Sequence, residues 1–327
     1  MPSALPFLLA FTLAAETHQI VATQYHHTFS AAHPVLLRVL PGDVIVTKTV
    51  DSAGFDFQGI RRTKTHGNPL TGPFFIEGAE PGDALAVKLA RISLNRPTGY
   101  TAHRVPVKDL APHLVPPPPR PNAVIPGYDT LIPWTIDLTH STVRPAEPGV
   151  HKLAPLPASP MLGCIGVAPQ GDYSPRSGPA GYWGGNLDYN LIREGATVYL
   201  PVFHKGGLLF FGDGHALQGD GEPIGSGVET SLDVSFTVEL RKNWKLTGPR
   251  AETAREIISI GGAPEATLNQ SIEIANRDML RWLIEEYAFP PLDAHLAIGV
   301  QARYDILTLG GSIAIRMPKP TPTTHPR

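Results

Sequence analysis

The stretch "SLDVSFTVEL" limits what this chain can fold into more than any other segment does. From Leu232 to Leu240, apolar and polar residues alternate at every position. A period of two places one face of a strand in a core and the other in water, which is typical of an antiparallel sheet. Three further runs, "LPGDVIVTKTV", "EPGDALAVKLARISL" and "REGATVYLPVF", place a glycine turn before a strand-like sequence. The chain is therefore predicted to consist mainly of β-strands.

Glycine and proline, with 32 and 35 residues, are too abundant for a helix bundle. One segment, "APEATLNQSIEIANRDMLRWLIEEY", carries apolar residues at helical spacing from Leu268 to Leu283. A strand-like stretch, "HLAIGVQARYDILTL", follows it. The predicted fold class is mainly β (α+β), with sandwich or barrel layers and a small α/β portion near the C-terminus.

The first residues contain an apolar run at 5–15 that is too short to span a bilayer as a helix. It has the length of a signal-peptide core, and Glu16 follows a plausible cleavage site. A buried N-terminal strand is the other interpretation. We predict an exported protein, periplasmic or secreted, and otherwise a cytoplasmic one. The predicted organisation is a signal peptide at 1–15, a main domain at 16–317 and a loose tail at 318–327.

The charge balance and the cysteine count exclude several classes of function. The formal net charge is −2, and a nucleic-acid surface needs a basic stripe. The single cysteine, Cys164, allows neither an internal disulfide nor a cysteine-based zinc site. Because a reactive cysteine needs a basic, partly exposed environment, Cys164 in its apolar run is predicted to belong to the core.

The run "FGDGHALQGDGE" combines three acids and a histidine with several glycines. Asp213 and His215 lie two positions apart at the end of a predicted strand, so both side chains point to the same face. A carboxylate and an imidazole on one face form half of a zinc-type site. Glu222 lies beyond the glycine turn and can reach back as a general base. A turn without any ligand is the alternative.

Two other stretches carry candidate polar groups. In "GYWGGNLDYN", Asp188 is a candidate oxygen ligand, and Asn186 a candidate for holding its geometry or binding substrate. In "HGNPLTGPFF", Asn68 and Thr71 could donate or accept hydrogen bonds to an amide, and His66 could ligate a metal. Both stretches also read as ordinary turns with no ligand.

Four stretches in this order resemble the acetamidase/formamidase family: "NPLTGPFFIEGAEPGDALAVKL", "MLGCIGVAP", "GGNLDYNLIREGATVYLPVFHKGGLLFFGDGHALQGDGE" and "GVETSLDVSFTVEL". The resemblance runs from about residue 35 to about residue 315. It implies a mostly β fold, self-association, and hydrolysis of short linear amides to carboxylate and ammonia with a divalent metal. The matching polar positions are Asn186, Asp188, Asp213, His215, Gln218, Asp220 and Glu222.

With this resemblance, each candidate residue receives a predicted role. The metal ligands are Asp188, Asp213 and His215; the catalytic carboxylates are Glu222 and Asp220; the substrate-binding residues are Asn68, Thr71, Asn186 and Gln218. Zinc is the expected metal because a histidine ligand favours it, and calcium is the alternative because it prefers oxygen ligands. The expected partner is a small-molecule amide, with no nucleic acid and no membrane span.

Two other functions agree with the same residues. One is a non-catalytic β module with a structural calcium site. The other is an enzyme of the same fold that hydrolyses a different C–N bond, in a cyclic amide or an amino-acid amide. Hydrolysis of a linear amide is favoured because a divalent ion activates water, and a neighbouring carboxylate can move the proton to the departing nitrogen.

Overall fold

The computed structural model describes residues 15–102, 131–147 and 152–320. This part of the chain contains nineteen strands in three sheets and two helices, which confirms the prediction of a mainly β fold. The predicted signal segment lies outside the described residues except for Ala15.

The largest sheet has nine strands. Their spatial order is β1 (Thr17–Gln19), β3 (Val44–Lys48), β15 (Leu232–Arg241), β5 (Ala84–Leu94), β13 (Thr197–Pro201), β16 (Arg250–Glu252), β17 (Glu256–Gly261), β19 (Ser312–Pro318) and β18 (Arg303–Thr308). Strand β15, the third in this order, is antiparallel to both of its neighbours. Along β15 the positions from Leu232 to Val238 alternate between buried and half-buried, as the sequence period predicts.

A six-stranded sheet, called the site sheet, packs against the large sheet. Its order is β11 (Ala180–Gly181), β12 (Gly184–Asn186), β10 (Met161–Val167), β14 (Leu209–His215), β4 (Leu70–Ile76) and β2 (Leu37–Val39). The third sheet contains β6 (Thr98–Ala102), β7 (Leu131–Asp137), β8 (Thr142–Pro145) and β9 (Leu156–Pro157). One apolar cluster fills the space between the two larger sheets, so the predicted sandwich layers are present.

Three phenylalanine rings join the two layers of the sandwich. Phe74 and Phe211 belong to the site sheet and stack with ring centroids 5.5 Å apart. Phe236 of β15 meets both rings edge-on, with centroids 5.2 Å away. Stacked and edge-to-face pairs add to the burial energy of such rings, because the quadrupoles of the rings attract one another in these orientations. The triad therefore fixes β4 and β14, which carry site residues, against the large sheet.

The helices lie near the C-terminus and pack on the far end of the large sheet. Helix α1 (Leu268–Glu285) confirms the predicted helix, and a capping box between Thr267 and Gln270 begins it. Helix α2 (Pro291–Gln301) occupies the first half of the stretch that was predicted to be a strand, so that prediction was wrong there. A proline at the first helical position and the burial of Ala294 and Ala297 against α1 and the sheet favour the helix.

Neither helix in the described residues is long and apolar enough to cross a membrane. The predicted loose tail begins within strand β19, which ends at Pro318. Lys319 is also held in place: its backbone N–H donates to the carbonyl of Arg255, and its Nζ lies 2.6 Å from Glu252. Residues 321–327 lie outside the described part of the chain.

Candidate active site

Five ionisable side chains from separate parts of the chain converge on one side of the site sheet. We call Asp188, Asp213, His215, Glu222 and Glu229 the acid cluster. Two of them lie on β14, one follows β12, one lies in the turn after β14, and one precedes β15. All are buried except Glu222, which is half-buried. Buried charges are costly unless they are paired or coordinate an ion, so this arrangement needs a physical explanation.

Asp213 and His215 lie together, as their spacing on β14 predicts. Nε2 of His215 is 3.6 Å from Oδ1 of Asp213 and 3.0 Å from Oε1 of Glu229. Glu229 reaches this position because its backbone forms a β-bridge with His215. The imidazole therefore faces two carboxylates at once.

The hydrogen bonds of Gln218 determine which nitrogen of His215 carries the proton. Nε2 of Gln218 donates to the backbone carbonyl of Asp188 over 2.6 Å. The amide oxygen of Gln218 must then face Nδ1 of His215, 2.6 Å away, and Nδ1 must be the donor. In a neutral ring, Nε2 would consequently present a lone pair to the oxygens of Glu229 and Asp213. Either a proton or a cation has to lie between these acceptors.

The pKa values of the cluster reflect the same excess of negative charge. Burial lowers the pKa of His215, but the carboxylates of Glu229 and Asp213 outweigh it, so the pKa rises well above its ordinary range. Burial raises the pKa of Glu222 to about 7 and that of Glu229 to about 8, and neighbouring carboxylates contribute to both shifts. Burial, then Glu222 and Asp213, raise the pKa of Asp188 well above its usual value.

A divalent cation fits this set of donors. Four buried atoms have no hydrogen-bond partner among the described residues: Oδ1 of Asp188, Oδ1 of Asp213, Nε2 of His215 and Oε2 of Glu229. Asp213, His215 and Glu229 each offer a ligand atom, and these atoms lie within 4.8 Å of one another. Asp188, His215 and Glu222 satisfy the same criterion. Imidazole nitrogen combined with carboxylate oxygen is a donor set that suits zinc.

Two asparagines connect the cluster to the neighbouring loops. Nδ2 of Asn68 donates to Oδ2 of Asp213 over 2.8 Å and to Oδ1 of Asn186 over 2.9 Å. Nδ2 of Asn186 in turn donates to Oδ2 of Asp188. Asp188 and Asp213 thus each have one carboxylate oxygen held by an amide, while the other oxygen points toward the cluster.

The backbone around the cluster is shaped for close approach. A Cβ on Gly163 of β10 would lie 2.6 Å from Oδ1 of Asp188 and 2.9 Å from Oδ2 of Asp213. Four non-glycine site residues have positive φ angles: Asn68 (51°), Asp188 (44°), Asp213 (56°) and Glu222 (46°). Such conformations cost free energy and gather at functional sites, where the surrounding structure enforces them.

Three of the residues predicted for the site do not join the cluster. Asp220 is exposed, and its carboxylate accepts a hydrogen bond of 2.7 Å from Asn190. Thr71 is fully buried in β4, and its hydroxyl donates to the carbonyl of Lys48 at 3.4 Å. His66 lies in the wall of the adjacent cavity but in neither group of candidate metal ligands.

Cys164 is buried in β10, and its thiol donates to the carbonyl of Ser177 at 3.2 Å. Burial, followed by the charges of Asp213 and Asp188, raises the pKa of this thiol well above its ordinary range. A thiol that stays protonated is a weak nucleophile, which agrees with the predicted core position.

Glu229 is the member of the cluster that the sequence did not reveal. It lies in "GVETSLDVSFTVEL", three residues before the alternating strand begins. Its only signal is an acid next to a run of buried positions, and single acids before strands are common. Its place next to His215 depends on a bridge between residues that the sequence pattern does not pair.

Two cavities adjoin the cluster and share Asn186, Glu222 and Gly225 in their walls. The inner chamber, of about 260 Å³, also contains Asn68, Asp213 and Glu229 in its wall. The outer chamber, of about 540 Å³, also contains Asp188 and extends to residues 263–265 and 308–312. A small polar molecule in the inner chamber would touch carboxylates and amides together.

Buried carboxylates and an imidazole beside a polar chamber are the features expected of an active or binding site. The model of the acetamidase/formamidase family matches residues 151–262, which include β10, β14 and β15. This match and the relatives below confirm the resemblance to that family.

Individual relatives agree with the family match. A Schizosaccharomyces pombe protein named as a formamidase is 27% identical over 59% of this chain and 56% of its own length. A formamidase of Methylophilus methylotrophus is 26% identical over 61% of this chain and 59% of its own. The chain thus spans little more than half the length of these curated relatives.

The solved structure of an acetamidase from Yersinia enterocolitica has the same fold, with a TM-score of 0.78. It is 28% identical to this chain, and the match covers 94% of this chain and 93% of the acetamidase. The acetamidase fold therefore extends over nearly the whole of this chain.

Proposed function

We propose that this protein hydrolyses a short linear amide to a carboxylate and ammonia, with water as the nucleophile. The observation that carries the proposal is the set of four buried, unpartnered ligand atoms in the acid cluster. Two of the residues that carry them, Asp213 and Glu229, lie in the wall of the inner chamber. Nearly all buried polar atoms in native proteins have a hydrogen-bond partner, so unpartnered buried atoms need an explanation. The formamidase and acetamidase relatives support the same reaction type.

Asp213, His215 and Glu229 are the residues that would hold a divalent cation, with Asp188 within reach as a fourth. We prefer this trio because each member has a buried atom without a partner. When bound, a divalent cation lowers the pKa of a coordinated water toward about 7 and polarises a carbonyl group. The imidazole favours zinc over calcium, so the alternative of a structural calcium module receives less support.

Glu222 is the proposed proton shuttle. It is half-buried, its pKa is raised to about 7, and it lies in the wall that both chambers share. A general base works best when its pKa is near the working pH, because it is then both ionised and basic enough. Glu222 would take a proton from the attacking water and return it to the departing nitrogen.

Asn68 and Asn186 are the proposed substrate anchors. Both N–H groups of Asn68 are used inside the network, whereas its Oδ1 makes no hydrogen bond to another described residue. Asn186 uses one N–H on Asp188, which leaves the second available. The oxygen of Asn68 can accept from a substrate N–H, and the amide of Asn186 can donate to a substrate carbonyl.

The proposal is tested by ammonia release from formamide, acetamide and propionamide, measured together with the metal content of the purified protein. We expect turnover that disappears on chelation and returns with zinc. Glu222→Gln should keep the metal but lose roughly 10²–10⁴-fold in kcat. Asp220→Asn, the matched control, should stay within about twofold, because Asp220 is exposed. Absence of ammonia from every amide would refute the proposed function.

Export and self-association remain predictions from the sequence. The first rests on residues 1–15 and the second on the family resemblance. The size of the mature protein by mass spectrometry and its mass in solution by light scattering would test them separately.

A further inference from the structure

The outer chamber is larger than the proposed reaction needs. Acetamide has four non-hydrogen atoms. Its volume is roughly two to three times the ~30 Å³ that one water molecule occupies in the liquid. The inner chamber, of about 260 Å³, accommodates such a molecule. The outer chamber adds about 540 Å³, which lies within the roughly 300–1,000 Å³ range of pockets that hold much larger ligands. Because both chambers share Glu222, a substituent on the amide can enter the outer chamber while the amide stays at the cluster.

The ionisable side chains in the wall of the outer chamber are all acids. Its ionisable lining residues are Asp188, Glu222 and Glu265, and none of its lining residues is lysine, arginine or histidine. Asp188 is 1% exposed, and its Oδ1 has no hydrogen-bond partner among the described residues. A cavity lined by one sign of charge concentrates ligands of the opposite sign.

Glu265 lies farther from the cluster than the other two acids, in the segment between β17 and α1. It is exposed, and no other described residue forms a hydrogen bond or ion pair with it. Its φ of 61° is in the left-handed region, which is unusual for glutamate. The carboxylate is therefore available to a ligand and is carried by a backbone held in a costly conformation.

The wall that carries Glu265 is closely packed. Gly311, with a φ of 128°, allows the loop at 308–312 to contact the turn at 263–266, because a Cβ there would lie 2.0 Å from the carbonyl oxygen of Ala266. On the other side, Thr267 begins α1 with a capping box. These two contacts fix the position of the Glu265 backbone relative to the chamber.

We propose that the outer chamber binds the positively charged end of the amide substrate, an ammonium or guanidinium group a few carbon atoms from the amide. Asp188 and Glu222 serve the cluster, and Glu265 is the carboxylate left to meet the cation. This inference rests on the proposed amide hydrolysis and names its substrate class. The substrate is thus an amide with a cationic substituent, larger than acetamide.

The test compares three amides by ammonia release at pH 7.5: acetamide, pentanamide and 4-aminobutanamide. The last two have the same number of non-hydrogen atoms and differ in a terminal methyl or ammonium group. We expect kcat/KM to be about tenfold higher for 4-aminobutanamide than for pentanamide, and the ratio to fall as salt is added. Glu265→Gln should lower this ratio by roughly fivefold, whereas Glu273→Gln, which removes an exposed charge from α1, should not change it.

If pentanamide is turned over as well as or better than 4-aminobutanamide, the cationic substrate class is wrong. The proposed amide hydrolysis is not affected by that result. An unchanged ratio in Glu265→Gln, with an unchanged melting temperature, would overturn the assignment of Glu265. If none of the three amides releases ammonia, the proposed function itself fails, and the substrate class fails with it.

Discussion

Nδ1 of His215 donates a hydrogen bond to the side-chain oxygen of Gln218 over 2.6 Å, and this contact turns the other ring nitrogen toward two carboxylates. Gln218 was predicted to bind substrate, but its amide oxygen accepts from His215 and one of its N–H groups donates to the carbonyl of Asp188. We therefore interpret it as a residue that positions the imidazole.

The first prediction concerns Gln218. Gln218→Leu should weaken metal binding and lower kcat/KM by about 10–100-fold, the usual cost of losing the hydrogen bond that orients a ligating histidine. Gln218→Glu should recover part of the loss, because a carboxylate can still accept from Nδ1. Metal affinity by competition with a chelator measures the effect. Gln301→Leu, at an exposed helix end, is the control, and equal losses in both variants would contradict the positioning role.

The second prediction concerns Gly163. Gly163→Ala would place a methyl group 2.6 Å from Oδ1 of Asp188, closer than these atoms can approach. The carboxylates must move, so we expect a loss of activity of more than 100-fold and about 1–3 kcal/mol of stability. Urea unfolding and ammonia release give the two values. Gly299→Ala, in α2 with open space around its Cβ, should be neutral or slightly stabilising.

The third prediction concerns Glu229. Its Oε2 is buried without a partner, and its pKa is raised to about 8, first by burial. Glu229→Gln should abolish metal binding and activity, yet raise the stability of the metal-free protein by about 1–2 kcal/mol, because a neutral amide costs less to bury than a carboxylate. Unfolding of both proteins in a chelator measures this. Lower stability of the variant under these conditions would contradict the account.

The fourth prediction concerns Cys164. Cys164→Ala should keep kcat/KM within a few-fold and cost about 1 kcal/mol, because it removes one buried sulfur atom and its bond to Ser177. In the folded protein, a thiol reagent should label Cys164 only after denaturant is added, since the thiol is buried and its pKa is raised. Loss of activity on rapid labelling of the folded protein would instead indicate a thiol mechanism.

The fifth prediction concerns stability at acidic pH. The ring of His26 stacks on that of His33 with centroids 3.9 Å apart, and burial, followed by the charges of His33 and His27, lowers the pKa of His26 to about 4 from 6.5. Between these two pH values the unfolded chain binds a proton that the folded protein does not. The contribution of His26 to stability is therefore fully present above pH 6.5 and decreases as the pH falls toward 4.

Urea unfolding at pH 7.5 and pH 4.5 tests this dependence. His26→Phe keeps a ring for the stack but cannot be protonated, so it should lose less stability between the two values than the wild-type protein. His295→Gln, at an exposed position of α2, should behave like the wild-type protein. Equal pH dependence in wild type and His26→Phe would contradict the assignment.

Local spacing predicted the parts of the site that lie on one strand. The alternation of β15 and the two-residue spacing of Asp213 and His215 follow from backbone geometry, so the sequence was sufficient for both. The bond between Asn68 and Asn186 joins residues 118 positions apart. No local pattern encodes that contact, and the same holds for the bridge between His215 and Glu229.

Asp220 illustrates the opposite difficulty. It shares the composition of the motif, and nothing in its neighbours distinguishes it from Glu222. The difference arises from the backbone: Glu222, with a positive φ, turns back toward the cluster, whereas Asp220 contacts Asn190 at the surface. The direction of a side chain in a glycine-rich turn depends on such angles, which composition does not reveal.

The position of β15 between β3 and β5 has a consequence for synthesis of the chain. Lys48 of β3 pairs with Asp233 of β15, 185 residues later, and β5 also pairs with β15. While the ribosome makes the intervening residues, β3 and β5 each have an edge without its final partner. Unpaired strand edges bind other strands readily, so the nascent chain is exposed to aggregation until β15 emerges. Chaperone dependence should therefore be greatest for ribosome-bound chains that end before residue 232.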